Sequence, residues 1–271
     1  MIKKIFPNAS TKILGISLVI AIIWWFLLDP EASRSNYLFT LFEGIIPLWG
    51  GMYGLFLAKN WGYLKSSVGK AVTFLSLGLL SWGIGTMIFV GYYNLIAEVE
   101  IPYPSWADAA YILSWPLWGM GMISLSRATG AHYGLRNSIG KSILILIPIM
   151  AILASYYLLI VIARGGSLDF SDSGALKIFF DLAYPIGDIV ILTLATLVYG
   201  LSFKYFGGQF KFGIYILLLG FILNYFADFA FSYTTTVETF YPGGAADLLF
   251  TMAMIALSYG TNYLDSRITH S

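Results

Sequence analysis

Long apolar stretches, each bounded by charged residues, proline or glycine, dominate the pattern along this chain. A helix needs about 20 apolar residues to cross the hydrocarbon core of a bilayer, which is roughly 30 Å thick. Eight stretches approach or exceed that length, and each predicts a transmembrane helix. Their approximate ranges are 12–29, 36–58, 69–95, 105–126, 141–163, 173–203, 211–233 and 244–264. We therefore predict an all-α fold, a polytopic bundle of eight transmembrane helices that forms one integral membrane domain over residues 1–271.

Basic residues are concentrated in every second segment that connects these helices. Twelve of the fifteen Lys and Arg residues fall in one set of segments, whereas the other set is mostly acidic and holds Arg34 and Arg164. Because Lys and Arg accumulate on the cytoplasmic side, both termini are predicted to be cytoplasmic in a multi-pass protein of the cell membrane. No small-x-small cleavage site follows the first apolar run, so we expect that run to be a retained helix and not a signal peptide.

The composition supports the membrane assignment and excludes several kinds of function. Hydrophobic residues make up 58% of the chain and charged residues 11%, against about 25% charged in a soluble domain. A net charge of +1 gives no basic patch for nucleic acid. The absence of cysteine excludes disulfides and thiolate metal sites, and both His132 and His270 lie in polar segments, which excludes a haem held by two histidines inside the bundle. No metal site is predicted and no cofactor is identified.

Two halves of the chain share a pattern. The segment YPSWAD at 103–108 recurs as YPGGAAD at 241–247, and each is followed by a helix with a late glycine, Gly121 or Gly260. A carboxylate also precedes a proline by four residues in the second helix and again in the sixth, at Glu43 and Asp181. We therefore predict two tandem four-helix repeats of parallel orientation, repeat one over about 12–126 and repeat two over about 141–264.

Ionisable side chains inside the predicted helices are the candidates for function, because a charge at bilayer depth costs several kcal/mol and normally faces the bundle interior. Four polar residues on the sixth helix lie on one face, at spacings of four, three and four residues. Asn224 and Asp228 share a face of the seventh helix in the same way. The predicted ligand- or ion-binding residues are Glu43, Asp181, Tyr184, Asp188, Asn224 and Asp228, and the secondary candidates are Asp108, Lys177 and Asp247.

Purely structural roles compete with a site role for several of these residues. Asp108 and Asp247 stand where helices begin, and a carboxylate there caps free N–H groups and meets the positive end of the helix dipole. Lys177 and Asp181 can form a structural pair one turn apart. Asp188 and Asp228 have no basic partner in the sequence pattern, so they are the strongest site candidates. Close helix contacts are predicted at the glycines of the second and third helices, Gly50, Gly54, Gly78, Gly83 and Gly85.

A family resemblance rests on short motifs spread over about residues 40–263. The motifs are YPSWADAAY at 103–111 with Pro116 after it, YPIGD at 184–188, Ala227 with Asp228, and GAAD at 244–247. Together they resemble the eight-helix membrane sensor region at the N-terminus of many bacterial diguanylate cyclases and histidine kinases. The resemblance implies an input domain whose ligand is generally unknown. It does not extend to kinase or cyclase activity, because those proteins continue into a cytoplasmic catalytic domain and this chain ends soon after the eighth helix; a stand-alone homologue, a truncated chain and another use of the same fold all fit.

The leading expectation is a non-enzymatic membrane sensory or ligand-binding domain with an outward-facing polar cavity in the second repeat. It would signal through a partner, either a separate cytoplasmic signalling protein or a second copy in a homodimer, and its other partner is the lipid bilayer. The alternative is a cation- or proton-coupled transporter, which would use the same acids. A structural subunit of a larger membrane complex and an intramembrane enzyme with two aspartates stay open. No catalytic residue is predicted.

Overall fold

A computed structural model of the chain describes residues 5–30, 33–129, 138–162, 165–166, 175–202 and 210–266. These residues form eight helices of membrane-spanning or near-spanning length and no strand, which confirms the predicted all-α class. Every predicted helix is present, with ends that differ from the expected ones by at most three residues. The helices are α1 Ala9–Phe26, α2 Arg34–Asn60, α3 Ser67–Thr86, α4 Trp106–Ala128, α5 Ser138–Ser155, α6 Ala175–Ser202, α7 Lys211–Thr236 and α8 Ala245–Tyr263. Two helices continue with π geometry, α3 as Met87–Ile96 and α5 as Tyr156–Ile162.

Five of these helices are long and apolar enough to cross a membrane. They are α1, α2, α3 with its π-helical continuation, the segment Ile145–Ile162 of α5, and α7. Helix α6 contains a shorter apolar segment, Ile186–Val198. Large apolar side chains cover the outside of the bundle, for example Ile16, Met52 and Phe26, the last of which is 75% exposed. A surface of this kind needs a lipid environment, so the chain is a membrane protein.

The helices pack in a definite order. Neighbours along the chain pair closely, above all α3 with α4, α7 with α8, and α2 with α3. Contacts between the halves join α2 to α8 and α4 to α6, while α1 lies against α8. The core contains Trp118 of α4 and Phe221 of α7, whose rings meet edge to face with centroids 5.7 Å apart. This order brings the second helix of each half against the fourth helix of the other half.

Two glycine contacts occur at matching places in the halves. A Cβ on Gly121 of α4 would lie 3.1 Å from the backbone nitrogen of Leu75, and a Cβ on Gly260 of α8 would lie 2.9 Å from that of Leu217. Each glycine therefore lets a helix approach the backbone of its partner. The Gly50 contact is similar, since a Cβ there would overlap the side chain of Ser258. A Cβ on any of the glycines predicted to mark close helix contacts would lie within 3 Å of a side chain on another helix, which confirms that prediction for Gly50, Gly54, Gly78, Gly83 and Gly85.

Candidate functional site

Three polar residues meet between α6 and α7. Asp188 is contributed by α6, while Asn224 and Asp228 lie one turn apart on α7. The amide nitrogen of Asn224 donates to Oδ2 of Asp228 at 2.8 Å, and the Asp188 carboxyl lies beside the Asp228 carboxyl. Asp188 and Asn224 are each 4% exposed, whereas Asp228 is half-buried. We call these three residues the aspartate cluster.

The aspartate cluster has unused acceptor atoms, and its α7 members have no basic residue nearby in the sequence. Oδ2 of Asp188 and Oδ1 of Asn224 are buried without a hydrogen-bond partner. Between Lys211 and Arg267 the chain contains no Lys or Arg at all. Two carboxylates side by side in an interior of low dielectric constant repel each other, and a proton or a cation between them removes that repulsion. The geometry therefore provides oxygen ligands for a small positively charged species.

Two hydroxyl groups that sequence reasoning missed lie near one another at the α5–α7 contact. The Tyr225 hydroxyl lies close to Ser155, at the end of α5, and within electrostatic reach of Asp188. Both hydroxyl oxygens are buried, and neither makes a hydrogen bond of normal geometry. Serine and tyrosine are common in apolar helices, so neither residue carried a signal, although Tyr225 follows Asn224 directly in the sequence.

A second pair of carboxyl groups lies between α2 and α8. Oδ2 of Asp247 accepts hydrogen bonds from Oγ1 of Thr40 at 2.6 Å and from the backbone nitrogen of Gly243 at 2.7 Å. The Glu43 carboxyl lies near Asp247 and Thr251, and its Oε2 is buried without a hydrogen-bond partner. Glu43 is thus brought to Asp247 and not to the aspartate cluster. Thr40 and Thr251 were not among the predicted site residues.

Asp108 stabilises the first turn of α4 and also accepts a hydrogen bond from α6. Its Oδ2 accepts from the backbone nitrogen of Ser105 at 2.7 Å and from the Ser105 hydroxyl at 2.8 Å, which forms a capping box. Its Oδ1 accepts from the Tyr184 hydroxyl at 2.6 Å. Asp247 closes the start of α8 in a similar way through Gly243. The predicted helix-start role of Asp108 and Asp247 is confirmed, and Tyr184 is assigned to Asp108.

Two tyrosine side chains lie within electrostatic reach of the acidic sites. The Tyr111 hydroxyl donates to Oγ1 of Thr86 at 3.2 Å and lies within electrostatic reach of Glu43 and Asp108. Tyr184 lies within reach of both Asp108 and Asp228. Polar groups therefore follow one another from the α2–α8 contact through α4 to the α6–α7 contact. We call this set the polar layer; its members are Glu43, Asp247, Tyr111, Asp108, Tyr184, Asp228 and Asp188.

Of the four polar residues predicted to share one face of α6, which are Lys177, Asp181, Tyr184 and Asp188, the structure describes the side chains of two. Tyr184 and Asp188 point to different partners, Asp108 and Asp228. The side chains of Lys177 and Asp181 lie outside the described residues, and so does the structural pair predicted for them. Within the described part of the chain, no group of three or more His, Asp or Glu side chains is arranged to hold a metal ion.

One groove on the described surface is apolar. It lies between α4 and α6 and has a volume of about 680 Å³. Its lining includes Pro116, Gly119 and Met120 from α4 and Ile186 and Val190 from α6. None of the three residues of the aspartate cluster lines this groove. The groove is therefore a feature separate from the acidic sites.

Comparisons with known protein families, with curated proteins and with solved structures give no match for this chain.

Proposed function

We propose that this chain is a non-enzymatic sensory or ligand-binding protein of the membrane, which signals through a partner and binds its ligand at the aspartate cluster. One observation carries the proposal: Asp188 and Asp228 lie side by side with an unpartnered acceptor on Asp188 and another on Asn224. Buried acceptors without partners are uncommon, because an unmet hydrogen bond costs about 1–3 kcal/mol. A bound cation would offset the repulsion between the two carboxyl groups, and a bound hydrogen-bond donor would provide a partner for the free acceptors.

The burial of the cluster limits the size of the occupant. Asp188 and Asn224 are closed off from solvent, and the half-buried Asp228 is the member through which a ligand would enter. Oxygen atoms of two carboxyl groups and one amide favour a proton, a hard monovalent cation or a small organic ammonium group. We infer that binding there draws α6 and α7 together, and that this movement is the signal passed on along the helices.

The topology belongs to the same proposal. We propose eight membrane crossings with both termini in the cytoplasm, on the distribution of Lys and Arg. We also propose that α1–α4 and α5–α8 arose by duplication. The support is that Asp108 and Asp247 close the first turn of matching helices, while Gly121 and Gly260 make the same contact with a partner backbone. Acceptors from one half receive hydroxyl groups from the other, Tyr184 in one case and Thr40 in the other.

The binding site can be tested with Asp188→Asn and Asp228→Asn. Sodium, ammonium and methylammonium ions serve as probes at constant ionic strength, and the thermal unfolding midpoint of the purified protein is measured with each. A ligand at ten times its Kd adds about 1.4 kcal/mol of stability, so the wild type should show a raised midpoint with at least one probe. Each Asn variant should lose that increase. Without probe, each variant should be as stable as the wild type or more so, because repulsion between two carboxyl groups is removed.

Glu100→Gln is the matched control for these variants, because Glu100 is an exposed acid on a connecting segment. It should keep the response to the probe unchanged. Equal probe responses in the wild type and in both Asn variants would contradict the placement of the site.

Coupled transport of a cation or proton is the second candidate function, and the continuity of the polar layer favours it. The Tyr184 hydroxyl donates to Asp108 and lies within electrostatic reach of Asp228. Protein reconstituted in liposomes should then accumulate a probe ion when a pH or sodium gradient is imposed, and Asp228→Asn should abolish this uptake. Measurable probe binding with no uptake above protein-free liposomes would favour sensing.

A further inference from the structure

The apolar groove between α4 and α6 has a counterpart in the other half of the molecule that is covered. Helix α1 and the residues before it cover the surface that α8 and α2 form together. The Tyr259 hydroxyl of α8 donates to the carbonyl of Ile5, which precedes α1. The Asn262 amide of α8 and the indole N–H of Trp49 of α2 both donate to the Ser10 hydroxyl of α1, at 2.8 and 3.1 Å. These contacts dock α1 along the α8–α2 surface.

The lining of the groove occupies the matching positions of the chain. The sequence spacing that relates Asp108 to Asp247 also relates Met120 to Tyr259 and Ile123 to Asn262. The spacing that relates Pro47 to Pro185 relates Trp49 to Gly187. Met120, Ile123 and Gly187 all line the groove. Under the duplication proposed above, the groove is therefore the surface on which a helix equivalent to α1 would lie.

Helix α5 is the equivalent of α1, but within its own chain it lies elsewhere. Among the described residues it packs against α6, and its π-helical end contacts α7. Of its segment Ile145–Ile162 only 12% is buried, against 22% for α1. Exposed side chains of this segment include Leu146, Met150 and Leu153. Among the described residues, α5 thus has no protein partner over much of its apolar surface, and none of them covers the α4–α6 groove that matches the surface under α1.

We propose that the protein is a homodimer in which α5 of each copy fills the α4–α6 groove of the other. Such an exchange is reciprocal, as a two-fold axis along the membrane normal requires. The same axis keeps the direction of α5 across the membrane, so it would meet α4 and α6 antiparallel, as α1 meets α8 and α2. The chemistry also fits. Tyr259 and Asn262 receive the polar start of α1, whereas the matching Met120 and Ile123 are apolar and suit a helix segment that carries no charge.

Small residues on the floor of the groove allow the close approach that this packing needs. Gly119 of α4 and Ala183 of α6 line the groove from facing helices. A Cβ on Gly187 would overlap the ring of Trp115, so Gly187 lets α4 and α6 approach each other. Association of helices in lipid relies on packing of this kind, because lipid tails are as apolar as the side chains and burial alone brings no gain. A Cβ on Gly119 would meet only Ile191 and Leu194 at ordinary contact distance, 3.8 Å, so there is open space above it.

Cysteine cross-linking tests the arrangement directly, since the natural chain contains no cysteine. Two differently tagged copies are co-expressed, one with Met120→Cys in the groove and one with Leu146→Cys on α5. Both positions lie about two turns from the helix ends predicted to be cytoplasmic. Mild oxidation in native membranes should give a disulfide-linked dimer that carries both tags. Ile16→Cys, on the exposed face of α1, replaces Leu146→Cys in the control and should give none.

Filling the groove gives a second, independent measurement. Gly119→Leu should occupy the groove without displacing the backbone and should reduce dimer formation about tenfold, a loss of about 1.4 kcal/mol of association free energy. Leu113→Phe, an exposed position of α4 outside the groove lining, is the control and should leave the dimer intact. Photobleaching of single labelled complexes in nanodiscs counts the copies. A monomeric wild type, an unchanged dimer in Gly119→Leu, or cross-linking of Met120→Cys only to other proteins would each overturn the proposal. Dimer formation is tested separately from ligand binding: Asp188→Asn should lose the response to the probe ion and should stay dimeric.

Discussion

A Gly50→Leu variant should lose about 3 kcal/mol or more of stability, because overpacking a closed interior costs about 1–3 kcal/mol and more where backbone has to move. A Cβ on Gly50 would overlap the side chain of Ser258 and would lie 3.1 Å from its Cα. One turn further along α2, a Cβ on Gly54 would lie 3.1 Å from Oδ1 of Asn262. Helices α2 and α8 therefore touch over more than one turn, and a leucine at Gly50 must push them apart.

The matched control is Met52→Leu on the same helix. Met52 is 57% exposed, and the exchange nearly conserves volume, so its effect should stay below about 1.5 kcal/mol. The measurement is the thermal midpoint of the purified protein, together with the yield of folded protein. A Gly50→Ala variant isolates the cause: adding Ser258→Gly removes the obstructing atoms and should restore part of the lost stability. A Gly50→Leu variant with the same thermal midpoint as the wild type would show that α2 and α8 are not closely packed.

The helices were predictable from the sequence because the bilayer imposes a simple rule on it. Each crossing needs about 20 apolar residues, and every backbone polar group must be satisfied inside its own helix. A capping residue and a charge then mark the ends, as Ser105 and Arg127 do for α4. The prolines of α2 and α4, Pro47 and Pro116, stand inside continuous helices, so in this case they did not mislead the assignment.

The site was predictable only where its residues share a helix. Asn224 and Asp228 are four residues apart, and the period of the α-helix puts them together. The partner of Asp228 on α6 depends on which helices pack side by side, and no local pattern contains that information. For the same reason the pairing of Glu43 with Asp247 was not foreseen, although both were candidates. Thr40 was missed because a threonine in a helix usually bonds its own backbone, as this one also does at Asn36.

The second large effect is expected from Asp247→Ala. This change leaves the buried N–H of Gly243 without its acceptor, and the buried hydroxyl of Thr40 keeps only its longer bond to the carbonyl of Asn36. Each unmet buried group costs about 1–3 kcal/mol, and α8 also loses the acid at its first turn. Removal of one carboxyl next to Glu43 acts in the opposite direction, because it relieves repulsion between two acids. Two lost hydrogen bonds outweigh one relieved contact, so we expect a net loss of about 3 kcal/mol.

Variants that separate the two contributions decide whether that balance is right. Asp247→Asn keeps one acceptor oxygen and removes the charge, so it should cost less than Asp247→Ala. Glu43→Gln removes the repulsion and leaves both hydrogen bonds of Asp247 in place; because Oε2 of Glu43 has no partner to lose, this variant should be neutral or stabilising. Thermal midpoints should therefore rank Glu43→Gln at or above the wild type, then Asp247→Asn, then Asp247→Ala. If Asp247→Ala were as stable as Glu43→Gln, repulsion and not hydrogen bonding would govern the contact between α2 and α8.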